Sequence, residues 1–216
     1  MSATAATRTP AAEAPLPLVL AGPILRRLMP DRLAIWLALS APVNARLSLD
    51  ADDGVSRCHV LSPGDAGCRH LAAGRRLHYL LIDLTLDTPL PTQRWIGYTL
   101  SLQEATQPDA PWLGWQEWAP DLCYPGRASP GFVLMPQVQS LLHGSCRKPH
   151  HRAGDGLTRA DELLARCVRE AVWEHSADAA PAAASETSKD GHKDVALPAW
   201  PSALIMSGDQ IYADDV

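Results

Sequence analysis

Phenylalanine is nearly missing from this chain: it occurs once in 216 residues, whereas tryptophan occurs seven times. Also missing is any apolar run close to the roughly 18 residues that a membrane-spanning helix needs. No membrane span is expected. An excess of positive charge is missing as well. Nineteen basic against 24 acidic side chains leave a formal net charge of −5. Phosphate contacts require a basic face, so nucleic acid is not expected as a partner. The five cysteines, Cys58, Cys68, Cys123, Cys146 and Cys167, contain no Cys-x-x-Cys pair of the structural zinc type. Reduced thiols in a cytoplasmic protein fit that pattern. No secretory or twin-arginine signal is expected: only Arg8 precedes the short apolar run 16–21, Pro17 interrupts it, and Arg26 and Arg27 follow it. The expected localisation is cytoplasmic, and residues 1–15 read as a mobile arm.

What is present describes a folded chain. Apolar residues make up 46% and charged residues 20%, ordinary values for a globular protein. The 19 prolines are nearly double the usual share of about 5%, and the length suits one domain or two small ones. From 16 to 136 the pattern is strand-like. Segment 45–50 alternates apolar and polar residues with period two, as a half-buried strand does. Segments 33–39, 77–86 and 94–102 repeat the theme, the last with Ile96, Tyr98, Leu100 and Leu102 on one face. Breakers such as Asp52-Asp53-Gly54, Ser62-Pro63-Gly64-Asp65 and Thr88-Pro89 separate them. Short strands at this spacing predict an antiparallel sandwich or barrel.

The pattern changes near Pro136. Segment 138–143 is a short apolar strand candidate running into Gly144-Ser145-Cys146. Thr158-Arg159-Ala160-Asp161 resembles a capping box with Asp in place of Glu. It would open a helix with Ala160, Leu164, Cys167, Val168, Ala171 and Val172 at helical spacing. Residues 176–197 carry Ala, Ser and charge without periodicity and read as a flexible insertion. Segment 203–207 is then a short buried strand feeding Gly208-Asp209. Strand, helix, strand is the signature of a βαβ unit. Two strands and one helix close no core of their own, so an incomplete protein is expected.

Two strand ends carry the candidate chemistry. Open α/β sheets place ligands beyond the carboxyl ends of their strands. Asp209 offers a carboxylate there, Gly208 permits close backbone approach, and Tyr212 can return a phenolate to the same side. Such oxygens suit a hard cation. The plainer alternative makes Asp209 a turn acid and Tyr212 core filler. If both strands share one sheet, Cys146 emerges at the same rim, where Arg147 and Lys148 would favour its thiolate. Against this stand an inert cysteine, a zinc site of His143, Cys146, His150 and His151, and a nucleophilic Cys146 with a His base. Trp112, Trp115 and Trp118 form either an aromatic platform for a partner or a clamp on the sandwich. The Cys58-His59 and Cys68-Arg69-His70 cluster reads as surface loop, and Asp214-Asp215 as solvated acids or aids to a second cation.

Strand–Gly-Ser-Cys-Arg, a helix, then strand–Gly-Asp-Gln-Ile-Tyr-Ala-Asp-Asp resembles the PhoD-like alkaline phosphatase and phosphodiesterase family, a branch of the calcineurin-like metallophosphoesterases. The opening Ala21-Gly22-Pro23-Ile24-Leu25-Arg26-Arg27, leading to Trp36, is similar to the start of that family's N-terminal sandwich. The resemblance covers roughly 20–175 and 198–216. It implies a mixed β and α/β fold: an antiparallel β-sandwich over 16–136, then over 137–216 the first βαβ part of a metallophosphoesterase α/β sandwich. It implies that Cys146 binds ferric iron (Fe3+), that Tyr212 is a tyrosinate ligand on it, and that Asp209 bridges to calcium (Ca2+). The implied activity is metal-dependent hydrolysis of a phosphoester substrate. The family's remaining ligands fall beyond Val216, so the resemblance implies an N-terminal fragment, inactive by itself. The competing expectation is a non-enzymatic β-sandwich binding module with a decayed metal site.

Overall fold

A computed structural model describes residues 15–148, 152, 154–174 and 199–210. The arm expected over 1–15 lies, apart from residue 15, outside the described residues, as does the insertion expected over 176–197. Eight strands build the larger part: β1 (Val19–Met29), β2 (Arg32–Leu39), β3 (Val43–Asp50), β4 (Arg57–Leu61), β5 (Cys68–Ala72), β6 (His78–Thr85), β7 (Trp95–Glu104) and β8 (Gly131–Val133). They form two four-stranded sheets in the orders β1-β2-β6-β5 and β4-β3-β7-β8. Every pairing within the two sheets is antiparallel.

Period two explains why these segments fold this way. In β3, Val43, Ala45, Leu47 and Leu49 are buried while Asn44, Arg46, Ser48 and Asp50 are not. His78, Leu80, Ile82 and Leu84 do the same in β6. The inward side chains of both sheets meet in a single apolar core, and each fully buried Leu or Ile adds about 1.5–3 kcal/mol. β2 is buried on both faces because the outward positions Ala34 and Ala38 are small enough to be covered by their neighbours.

The surface loop expected around Cys58 and Cys68 is instead two strands, in different sheets. Cys58 is exposed on β4, and Cys68 is buried in the core on β5. β4 holds a buried arginine, Arg57, whose two terminal nitrogens are engaged while its Nε finds no partner among the described residues. Those two nitrogens donate to both oxygens of Asp53, at 3.0 and 2.9 Å, and to the Pro89 carbonyl at 3.1 Å. Arg57, then the Val55 amide, hold the Asp53 carboxyl down at about 2.

The second part is small. The strand expected over 138–143 is the shorter β9 (Leu142–Gly144), and β10 (Leu204–Met206) pairs with it in parallel, Leu204 opposite Leu142 and Met206 opposite Gly144. β10 is not the buried strand expected: with one neighbour among the described residues, it leaves Leu204 51% and Ile205 47% exposed. Between them in sequence, helix α2 spans Gly156–Glu170. It begins two residues before Thr158, because the Asp155 carboxylate accepts from the Leu157 N–H at 3.0 Å and caps it. It stops before Ala171, which takes a left-handed conformation (φ 47°) and returns its N–H to Cys167 and Val168. Cys167 and Val168 pack with Val133, Met135, Trp173 and Trp200, so the end of α2 is held against the β7–β8 side of the sandwich. No helix among the described residues is long and apolar enough to cross a membrane.

Candidate functional site

Because β9 and β10 are parallel, their exits leave the pair at the same end. A ladder of hydrogen bonds ties those exits together. Ser207 N–H donates to the Gly144 carbonyl at 3.0 Å, and Arg147 N–H donates to the Asp209 carbonyl at 2.7 Å. The Gln210 amide donates to Ser145 and Gly208 carbonyls at 3.1 and 2.7 Å. Gly208 makes the closest approach. A Cβ there would lie 2.6 Å from the Cys146 sulfur and 2.7 Å from its backbone nitrogen. The thiol therefore occupies the space a side chain would need, immediately beside Asp209.

The structure thus brings Cys146 and Asp209, both exposed, to one rim. Tyr212, the third predicted ligand, lies outside the described residues, as do His150, His151 and the Asp214-Asp215 pair. His143 points its Nε2 at the Ser207 hydroxyl, 2.9 Å away, which gives that nitrogen a partner other than a metal. Among the described residues, no group of three His, Cys, Asp or Glu side chains is placed to hold a metal ion. As a fit to iron and calcium, the rim offers one soft thiol and one hard carboxylate at a point where the chain is pared down to glycine. That is a donor set for part of such a site.

Arg147 does something the sequence did not advertise. Its guanidinium grips Asp155 through Nε at 3.0 Å and Nη2 at 2.7 Å. This partner, followed by the Leu157 amide, holds the Asp155 carboxyl below the usual carboxylate range. The same residue therefore joins three places: its backbone the Asp209 exit, its side chain the cap of α2, and its neighbour the candidate thiol. Its charge answers Asp155 instead of serving the thiolate alone. The spacing of Arg147 and Asp155, eight residues apart, was the only available sign. Beside the rim, between α2 and the two strands, lies a hollow of about 500 Å³ lined by His143, Cys146, Arg147, Lys148, Arg159 and Met206 among others.

The tryptophan loop is folded onto the sandwich. Trp112 lies beneath the Arg46 guanidinium, 4.4 Å from ring centre to Cζ. Trp115 is buried in the short helix α1 (Trp115–Trp118). The Trp118 indole N–H donates to Leu113 at 3.3 Å, and Leu113 exchanges two backbone hydrogen bonds with Leu102 of β7.

No protein-family model matches the chain, and no curated protein matches it.

Proposed function

We propose that the chain carries part of the metal site of a PhoD-like phosphoester hydrolase. The observation that supports this most is the seating of the Cys146 sulfur on Gly208, next to Asp209, at the carboxyl ends of two parallel strands. In this reading Cys146, Asp209 and Tyr212 hold ferric iron, and Asp209 extends to calcium. The metals, when bound, supply Lewis-acid charge against the phosphate oxygens. Arg147 fixes the Cys146 segment by gripping both the Asp209 exit and Asp155. Lys148 and Arg159, the latter paired with Glu162, line the adjoining hollow, and their positive charge favours the approach of an anionic phosphoester.

The test is hydrolysis of bis(4-nitrophenyl) phosphate by the gene product as its source makes it, supplied with iron and calcium. Cys146→Ala and Asp209→Asn are each expected to lower kcat/KM by about a hundredfold or more, as the loss of metal-site residues does. A binding module requires indifference to both substitutions, and unchanged turnover in the variants would overturn the hydrolase reading.

A further inference from the structure

Two histidines stand at one end of the inward face of β5 and β6. His78 continues the row Leu80, Ile82, Leu84 and is 8% exposed. His70 sits opposite Leu80 on β5, hence on the same face. Their ring planes are 18° apart, with centroids separated by 5.1 Å. His78 Nδ1 lies 3.1 Å from His70 Nε2, closer than stacked planes come. The contact is a hydrogen bond between ring nitrogens, in which one ring donates and the other accepts. Such a pair tolerates no extra proton or one. With both rings protonated, two N–H groups would face each other and the bond is lost.

Among the described residues, no carboxylate is hydrogen-bonded to either ring to offset that second charge. Burial first, and then the charge of His78, lower the proton affinity of His70. On the same face of β5 is Cys68, whose thiol burial pushes up and so keeps neutral. Opposite His78 on β2 is Leu39. On β4 of the facing sheet, the inward positions are Arg57, bound to Asp53, then half-buried His59 and Leu61. At the end of β7, the Glu104 carboxylate accepts from Gln107 at 2.6 Å. β5 is also an edge strand, five residues long and, among the described residues, paired only with β6. Elements held so lightly are the ones that open below the global stability.

We propose that the His70–His78 pair is an acid-sensitive latch on β5: it holds the edge strand against β6 at neutral pH and releases it when both rings are protonated. The sign follows from linkage. A histidine whose proton affinity is lowered in the closed form binds protons better once released. Its contribution is therefore full above the ordinary histidine value of about 6.5 and fades as pH falls below it.

Hydrogen exchange by mass spectrometry, corrected for the intrinsic pH dependence of exchange, reads this directly. Between pH 7.5 and 5.0 the protection of residues 68–72 is expected to fall several-fold more than that of β3, as the loss of one hydrogen bond on the edge strand would cause. His70→Gln and His78→Gln are each expected to remove that difference. The latch is wrong if β5 and β3 follow the same pH course in the wild-type chain, a comparison that needs no variant. It is equally wrong if the difference survives in either substitution.

Discussion

Replacing Trp173 by Ala is expected to cost about 3–5 kcal/mol, the range for deleting a fully buried tryptophan. Trp173 is 1% exposed and is the hinge pin of the second apolar cluster. Its ring packs at 5.7 Å on Trp95 of β7 and meets the edge of Trp200 at 5.4 Å. Arg127 spans the same rings, 4.8 Å from Trp95 and 5.2 Å from Trp173, and its guanidinium also donates to the Val168 carbonyl at 3.1 Å. One indole therefore connects the sandwich, the last turn of α2 and the approach to β10. Only two residues within α2 itself, Cys167 and Val168, are buried, so this cluster is its main apolar attachment, beside the Asp155 cap and the Tyr124–Asp161 hydrogen bond. Urea unfolding should show the loss, and hydrogen exchange should show α2 opening before the sandwich strands. A cost under about 1 kcal/mol with α2 still protected would mean that the cluster is not the attachment.

The second large effect belongs to Gly208→Ala. The added methyl group would meet the Cys146 sulfur at 2.6 Å, the Cys146 nitrogen at 2.7 Å and the Ser145 carbonyl carbon at 2.9 Å. Two of these are backbone atoms, which cannot swing aside as a side chain can. The two exits must separate, and with them Cys146 and Asp209. Iron affinity is expected to fall at least about tenfold, the lower end of what displaced metal-site neighbours cost. Gly156→Ala is the control: its Cβ would have no neighbour within 4 Å, and Ala favours the helix it joins. Equal iron affinity in the two variants would show that the close approach at Gly208 has no bearing on metal binding.

The sandwich strands were legible where inward positions are apolar at every second residue, as in 45–50 and 94–102. β4 and β5 were not, because their inward positions include Arg57, His59 and His70. Arg57 can be buried because Asp53 and Pro89 accept from its two terminal nitrogens, and periodicity carries no sign of such partners. The helix start failed for a similar reason. Thr158-x-x-Asp161 looks like a cap, yet Asp155 takes the role while Arg147, from the exit of β9, pins its carboxylate. The meeting of Cys146 with Asp209 was legible as the common exit of two parallel strands. The exposure of β10 was not, since an apolar run such as Leu204-Ile205-Met206 reads as buried whether or not a layer covers it.

The most direct test of the metal-site reading is the visible absorption of the gene product, as its source makes it, after loading with ferric iron and removal of excess metal. The reading predicts one retained iron per chain and a charge-transfer band from thiolate and tyrosinate to iron. Cys146→Ser and Tyr212→Phe should each weaken or shift that band, whereas Cys58→Ser, at an exposed thiol on β4, should leave it alone. No retained iron, or a band indifferent to Cys146→Ser, would contradict it.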